Sequence, residues 1–235
     1  MERGKAHRIS LRKGDCLELI KDIPDESIDL IITDCPYHIV TGGCTNIPKK
    51  SAMKERVFLQ ETSKTGKLFN HNDIKFSEWL PEAYRVLKDG SHIYIYINAR
   101  NLKELQQEAE KVGFVFQNIL IWEKGNATPN RYYLNAYEMI LMLRKGKAKN
   151  INNMGTKNIL KVNNIRNKNH PTEKPIELNE ILIENSSKEN ETVLDMFMGT
   201  GSSGIACFNL NRNYIGMEID EKYFNIARQR IERGE

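Results

Sequence analysis

The run Val193-Leu194-Asp195-Met196-Phe197-Met198-Gly199-Thr200-Gly201-Ser202-Ser203-Gly204 constrains the fold of this 235-residue chain most tightly. Its apolar start, Thr192–Phe197, reads as a strand. The spacing Gly199-x-Gly201-x-x-Gly204 reads as a turn opening a helix over Ser202–Leu210. Glycines there permit positive φ and let a ligand approach the backbone closely. Glu218 closes the next expected strand, 19 residues after Gly199, where an acid holds a pair of ribose hydroxyls. Strand, glycine turn, helix and acid together imply an α/β fold with an adenosine-bearing cofactor. They leave open a dinucleotide or S-adenosylmethionine.

A second strand of β-branched character, Ile28-Asp29-Leu30-Ile31-Ile32-Thr33, runs into Asp34-Cys35-Pro36-Tyr37. In open α/β sheets, ligands bind at the carboxyl ends of strands. The Asp34 carboxylate and the Cys35 carbonyl can each accept a hydrogen bond from an amino group. The Tyr37 ring offers a stacking face. The three together suit a planar group bearing an exocyclic amine, such as adenine or cytosine.

The remaining chain alternates strands and helices. A short strand is expected at Ile9–Leu11 and one or two helical turns at Cys16–Ile20. A helix over Phe76–Leu87 is closed by Lys88-Asp89-Gly90, a strand covers His92–Ile97, and a helix over Leu102–Val112 ends at Gly113. Strands at Phe114–Trp122 and Ala136–Leu143 follow one another without a helix, which predicts a hairpin at a sheet edge. Pro175–Glu184 reads as a helix with Thr172 as N-cap. Tyr214–Glu218 reads as a strand and Glu221–Arg233 as a final helix with basic residues at its end. The count is seven strands. The alternation predicts a parallel sheet with crossovers.

Two stretches break the pattern. Residues 38–73 lack periodicity and are rich in Gly, Thr and Lys, as a lid or substrate-contacting insert would be. Residues 144–169 hold eight basic residues (Arg144, Lys145, Lys147, Lys149, Lys157, Lys161, Arg166 and Lys168), eight asparagines and no acid. Cations neutralise phosphates, and Asn can pair with adenine edges, so this segment is the candidate DNA contact. A solvated basic linker is the plainer alternative.

Composition narrows the class. Apolar residues make up 40%, enough for one core, and the net charge of +4 alone does not imply nucleic acid. Cys16, Cys35, Cys44 and Cys207 form no CxxC pair. With no leader visible, reduced thiols in a cytoplasm are expected. No apolar run reaches the roughly 18–20 residues of a membrane span. His38, His71 and His92 fall at no metal-ligand spacing, and no metal is expected.

Several of these motifs resemble those of amino-methylating DNA methyltransferases. Asp34-Cys35-Pro36-Tyr37 is similar to their Asp-Pro-Pro-Tyr motif, with Cys35 replacing the first Pro. Asp195-x-Phe197-x-Gly199-x-Gly201 resembles their cofactor motif, His170-Pro171-Thr172-Glu173-Lys174-Pro175 the segment before it, and Gly216-x-Glu218-x-Asp220-x-x-Tyr223 the strand and helix after it. The catalytic motif precedes the cofactor motif, the order of the β-type, circularly permuted group. The resemblance spans almost the whole chain and is weakest at 38–73 and 144–169.

The resemblance implies a single catalytic domain over 1–235. Its fold is α/β, Rossmann-like, with a seven-stranded, mostly parallel sheet of the S-adenosylmethionine-dependent methyltransferase type in permuted order. The strands ending at Thr33 and Phe197 should lie side by side near its centre. The implied reaction is site-specific methylation of adenine N6 in duplex DNA, by direct attack on a flipped base, within a restriction-modification system. Asp34, Cys35, Pro36 and Tyr37 are the catalytic set. Asp15, Cys16, Thr172, Lys174, Asp195, Phe197, Gly199, Thr200, Gly201, Ser202, Glu218 and Ile219 form the cofactor set, with Asp15 near adenine and Thr172 and Lys174 at the carboxylate end. Arg131, Tyr132, Tyr133 and Glu138 fall where such enzymes shape the base pocket. Family analogy points to a homodimer. The closest rival reading is cytosine N4 methylation, for which Ser is commoner at the position of Asp34. Cytosine C5 methylation through Cys35, a nicotinamide oxidoreductase and a non-enzymatic nucleic-acid binder each leave some of these motifs unexplained.

Overall fold

A computed structural model describes residues 8–36, 74–128, 132–166 and 173–234. The chain divides into two units, one of Met1–Cys35 with Phe76–Glu235 and one of Pro36–Lys75. In the second unit residues 37–73 lie outside the described residues, and with them Tyr37 and the expected 38–73 insert.

The first unit is built on an eight-stranded sheet. Its strands are β1 (Ile9–Lys13), β2 (Ile28–Thr33), β3 (Leu87–Ile97), β4 (Val115–Thr128), β5 (Asn135–Arg144), β6 (Ile159–Lys161), β7 (Thr192–Asp195) and β8 (Asn213–Glu218). They lie in the order β1-β8-β7-β2-β3-β5-β4-β6. All neighbours are parallel except β5, which runs against both β3 and β4. The helices are α1 (Cys16–Leu19), α2 (Phe76–Val86), α3 (Leu102–Val112), α4 (Ile176–Ser186), α5 (Ser202–Asn209) and α6 (Glu221–Arg233).

Helices on both faces explain why β2 is apolar at nearly every position instead of alternating. Leu30, Ile32, Tyr94, Tyr96, Ile140 and Met142 point to one face and pack with Leu178 and Leu182 of α4, Ile205 of α5 and Ile231 of α6. The intervening Ile31, Ile93, Ile95 and Leu141 are equally buried on the other face, where α2 and α3 bury Trp79, Leu80, Ala83, Leu105 and Ala109. Asp29 breaks the β2 run because it accepts from Lys88 Nζ (2.6 Å) and from the Thr192 backbone N–H (2.9 Å).

Five expectations need correction. The sheet has eight strands, not seven. The added one, β6, lies inside the basic 144–169 segment, where a single buried Leu160 between exposed Ile159 and Lys161 gives no readable pattern. The β4–β5 hairpin therefore stands next to the edge, with β6 outside it. Gly90 does not close α2; it lies inside β3 at φ +75°, and its N–H donates to the Lys145 carbonyl (2.8 Å). Strand β7 stops at Asp195, because the Asp195 carboxylate accepts from the Phe197 N–H (3.1 Å) and turns the chain. The N-cap of α4 is Pro175, not Thr172, which lies outside the described residues.

The topology gathers one edge. β2 and β7 pair at positions four and three of the sheet, so Asp34 and the glycine turn leave neighbouring strands at the same end. β8 brings Glu218 to that end. The reversed β5 brings its beginning, with Glu138 opposite Trp122 of β4. Among the described residues no helix is long and apolar enough to cross a membrane.

Candidate active site

The glycine turn is held from both sides. Gly201 has φ +81°, and a Cβ there would lie 3.0 Å from the Ala227 Cβ of α6, so close packing and backbone sign both require glycine. Gly199, at φ +54°, has no atom of the described residues within 4 Å of where a Cβ would stand. Behind the turn, Asp195 is fully enclosed. It accepts from Thr33 Oγ1 (2.9 Å), Ser203 Oγ (2.5 Å) and the Phe197 N–H. Burial pushes its carboxyl up to about 6 despite those donors.

Glu218 ends β8 and accepts from the Gly199 N–H (2.9 Å) and the Asp220 N–H (2.8 Å). Burial raises its carboxyl to about 7. The Gly14 N–H donates to the Glu218 carbonyl (2.9 Å), which brings Asp15 and Cys16 beside it. Asp15 caps α1 by accepting from the Leu17 N–H (2.9 Å). Cys16 is buried, and burial lifts its thiol to about 12. Ile219 is 43% exposed just beyond Glu218. Thr200 receives two bonds from Arg230 of α6, at its carbonyl (2.8 Å) and its hydroxyl (3.2 Å). Arg230 also pairs with Glu173 (2.8 Å), whose side chain is almost wholly buried.

Sequence reasoning missed Trp79 as part of this site, because its helical spacing marks it only as core. Its ring meets Phe197 edge-on, with centroids 5.8 Å apart. Its indole N–H is buried without a partner among the described residues, as is the hydroxyl of Ser202 at the start of α5. Two orphaned donors, a glycine turn and a carboxylate at the ribose position fit an adenosine-bearing group with a polar tail.

At the end of β2, Asp34 is one member of a charged chain. Lys174 Nζ lies 2.7 Å from Asp34 Oδ2 and 3.3 Å from Glu138 Oε2. Glu138 is held in turn by Lys124 (3.0 Å). Lys174 also sits over the Tyr96 ring, 5.1 Å from its centroid, and the Tyr96 hydroxyl donates to Asn179 Oδ1 (2.7 Å). Burial pushes the Glu138 carboxyl up, but the two ammonium groups outweigh it and hold it at about 2. Lys174, expected at the cofactor's carboxylate end, is thus placed against the catalytic candidate. Lys124 and Tyr96 carried no sequence signal, since each pairs with residues far away along the chain. Cys35 is fully buried, and burial beside Asp34 drives its thiol well above the ordinary range, which disfavours a thiolate nucleophile.

The basic segment divides. Lys145, expected among the DNA contacts, is engaged within the fold. It is buried, with its Nζ donating to the Leu87 carbonyl (2.8 Å), pairing with Glu26 (3.1 Å) and covering the Tyr84 ring (4.7 Å). Lys147, Lys149, Lys157 and Arg166 are exposed, as is Lys161, which pairs loosely with Glu123 (3.5 Å). Tyr132 and Tyr133 are 83% and 87% exposed just before β5. Lys168, Arg131 and Thr172 lie outside the described residues.

An eight-stranded α/β sheet with a glycine turn beside a strand that runs into Asp34 suits a nucleoside-bearing cofactor at its carboxyl edge. The N6/N4 methylase family, described as DNA methylase, matches residues 28–229. The Type II methyltransferase M.HinfI of Haemophilus influenzae is 33% identical over 94% of this chain and 68% of its own. The crystal structure of the M1.HpyAVI–SAM complex superposes with a TM-score of 0.71 at 28% identity, covering 94% of this chain and 99% of that one. The PvuII DNA methyltransferase, titled cytosine-N4-specific, shares the fold at TM-score 0.71 and 17% identity over 99% and 97% of the two chains. This chain belongs to the N6/N4 DNA methylase family, whose methyl donor is S-adenosylmethionine.

Proposed function

We propose that this chain methylates the exocyclic N6 of adenine at a specific site in duplex DNA, by direct attack of a flipped base, and that it is a β-type, permuted member of its family. The observation that supports this reading is the side-by-side parallel pairing of β2 and β7, so that Asp34 and the glycine turn follow neighbouring strands at the same end of the sheet. When bound, S-adenosylmethionine supplies an electrophilic methyl on sulfur.

The chain's own residues do the rest. Asp34 and the Cys35 carbonyl accept the two amine N–H groups. That draws the nitrogen lone pair out of ring conjugation and aims it at the methyl, so positioning and electrostatics supply much of the rate. Pro36 fixes the chain direction after them, and Tyr37 stacks on the extruded base. Glu218 accepts the ribose hydroxyls, with Asp15, Cys16 and Ile219 beside the adenine. Phe197, Gly199, Thr200, Gly201 and Ser202 wall the methionine end, with Asp195 locking the turn from behind; Thr172, assigned to the carboxylate end by resemblance, lies outside the described residues. A main-chain carbonyl is available from any residue, so Cys35 in place of Pro leaves the chemistry intact and only loosens the loop.

The whole chain forms one catalytic domain in this reading. The insert at 38–73, the exposed cations Lys147, Lys149, Lys157, Lys161 and Arg166, and Lys168 of the same basic segment meet the DNA. The protein acts in the cytoplasm, as a homodimer by family analogy. Aspartate at position 34 favours adenine over cytosine. Purified protein incubated with duplex DNA and S-adenosylmethionine, then digested to nucleosides for mass spectrometry, should yield N6-methyladenine. N4-methylcytosine would keep the mechanism and overturn the base assignment. No methylated nucleoside would overturn the activity.

A further inference from the structure

A lysine on a four-carbon stem is ordinarily mobile, yet among the described residues Lys174 is held by at least three groups. It reaches Asp34 at 2.7 Å, Glu138 at 3.3 Å and the Tyr96 face at 5.1 Å, and its side chain is only 8% exposed. Lys124 anchors the far side of Glu138. Neutralising Asp34 alone would not require this scaffold. Its effect is to hold the Asp34 carboxylate and the Lys174 ammonium side by side, 2.7 Å apart, at the end of β2.

That pairing matches one kind of base edge. Adenine offers an amine donor beside the N1 acceptor, and cytosine an amine donor beside the N3 acceptor. Guanine and thymine reverse the pattern, with a carbonyl beside a ring N–H. Flipped bases are read on this Watson–Crick edge. We infer that Lys174 is a specificity-determining residue whose ammonium donates to the ring nitrogen next to the methylated amine, while Asp34 accepts from the amine itself. This rests on Asp34 being the amine acceptor.

The pair acts as a bidentate reader, as amide side chains do on adenine. Guanine or thymine would set a carbonyl oxygen against the Asp34 carboxylate and a ring N–H against the ammonium. Both contacts are repulsive, so the wrong bases are rejected by charge as well as by a missing bond. Adenine and cytosine are accepted alike, so the choice between them falls to the surrounding pocket. Glu138 and Lys124 are positioning residues that act through Lys174.

The test uses the full chain and a duplex carrying its mapped target, with adenine or 1-deazaadenine at the methylated position. The analogue keeps the amine and lacks the N1 acceptor. For the wild type, kcat/KM should fall roughly 10- to 100-fold on the analogue. Lys174→Met should lose a similar factor on adenine and nothing further on the analogue, while binding S-adenosylhomocysteine as the wild type does. Losses that multiply, or a wild type indifferent to the analogue, would overturn the inference. So would loss of S-adenosylhomocysteine binding in Lys174→Met, which returns the lysine to the cofactor. The substrate arm needs no variant and so stands even if Lys174→Met folds poorly. If the wild type methylates cytosine, the adenine assignment fails, and the same comparison with 3-deazacytosine decides Lys174. A wild type that methylates neither base overturns both readings.

Discussion

Two half-buried carboxylates on one sheet edge are shifted in opposite directions. Among the described residues Glu218 receives only backbone N–H groups, and burial carries it up to about 7. Glu138 feels the same burial, but Lys174 and Lys124 hold it at about 2. Asp195 behaves like Glu218 and rises to about 6. The proposed cofactor wall thus contains carboxyls that can be neutral near physiological pH, whereas the proposed base wall carries a fixed alternation of charges. Protonation weakens a wall that meets ribose hydroxyls, whereas a wall that orients an amine fails outright, because a protonated acceptor would turn into a donor.

If the two walls are functionally separate, Asp34→Ala is the sharpest way to break the comparison. Removing one preorganised contact at a reacting centre typically lowers turnover by about 10²- to 10³-fold. Methyl transfer should fall at least that far, measured as tritium incorporated into DNA. Affinity for S-adenosylhomocysteine should stay within a few-fold. Equal loss of both would show that the walls form one structural unit.

Glu218→Gln probes the other wall. Ribose hydroxyls bind an ionised carboxylate best, so wild-type affinity for S-adenosylhomocysteine should rise with pH. The gain is up to about tenfold per unit below pH 7, with a plateau above it. Stability of the free protein should run the opposite way. The folded-state value lies above the ordinary 4.5, so this group favours the fold at low pH and loses that contribution as pH rises through 4.5 to about 7. Both slopes should flatten in Glu218→Gln, as read by calorimetric titration and by thermal melting. A wild-type affinity independent of pH between 5.5 and 8, roughly the window set by such a carboxyl, would mean the carboxylate does not meet the cofactor.

The contrast between the walls also explains what could be read from the chain. The cofactor wall is local: strand β7, its turn and β8 fall within residues 192–218, so glycine spacing and one acid reveal it. Helices Leu102–Val112 and Glu221–Arg233 were legible at their observed bounds, since periodicity and end signals lie within each segment. The base wall is assembled across the fold. Lys174 and Asp34 stand 140 residues apart, and no periodicity links either to Lys124 or Tyr96. Trp79 looked like any core residue until its ring was found against Phe197. Strand β6 was hidden because a three-residue edge strand with one buried side chain has no pattern of its own.

The difference between a paired and a solvated charge extends to the basic segment, with smaller effects. Lys145 is enclosed by the Leu87 carbonyl, Glu26 and the Tyr84 ring, so its stem and its charge both serve the fold. Lys145→Ala should cost about 1–2 kcal/mol, a fall in Tm of roughly 2–8 °C for a chain of this size. Its effect on the salt dependence of DNA binding should be nil. Lys147, Lys149 and Lys157 are exposed, and replacing all three by Ala should leave Tm nearly unchanged. Each that meets a phosphate should flatten the slope of log affinity against log salt by about 0.9. Fluorescence anisotropy across a salt series reads this directly. An unchanged slope would make the exposed lysines a solvated face and move the phosphate contacts elsewhere on the protein. A flattened slope in Lys145→Ala alone would mean that burial and DNA contact are not exclusive in this segment, and the division drawn between its lysines would fail.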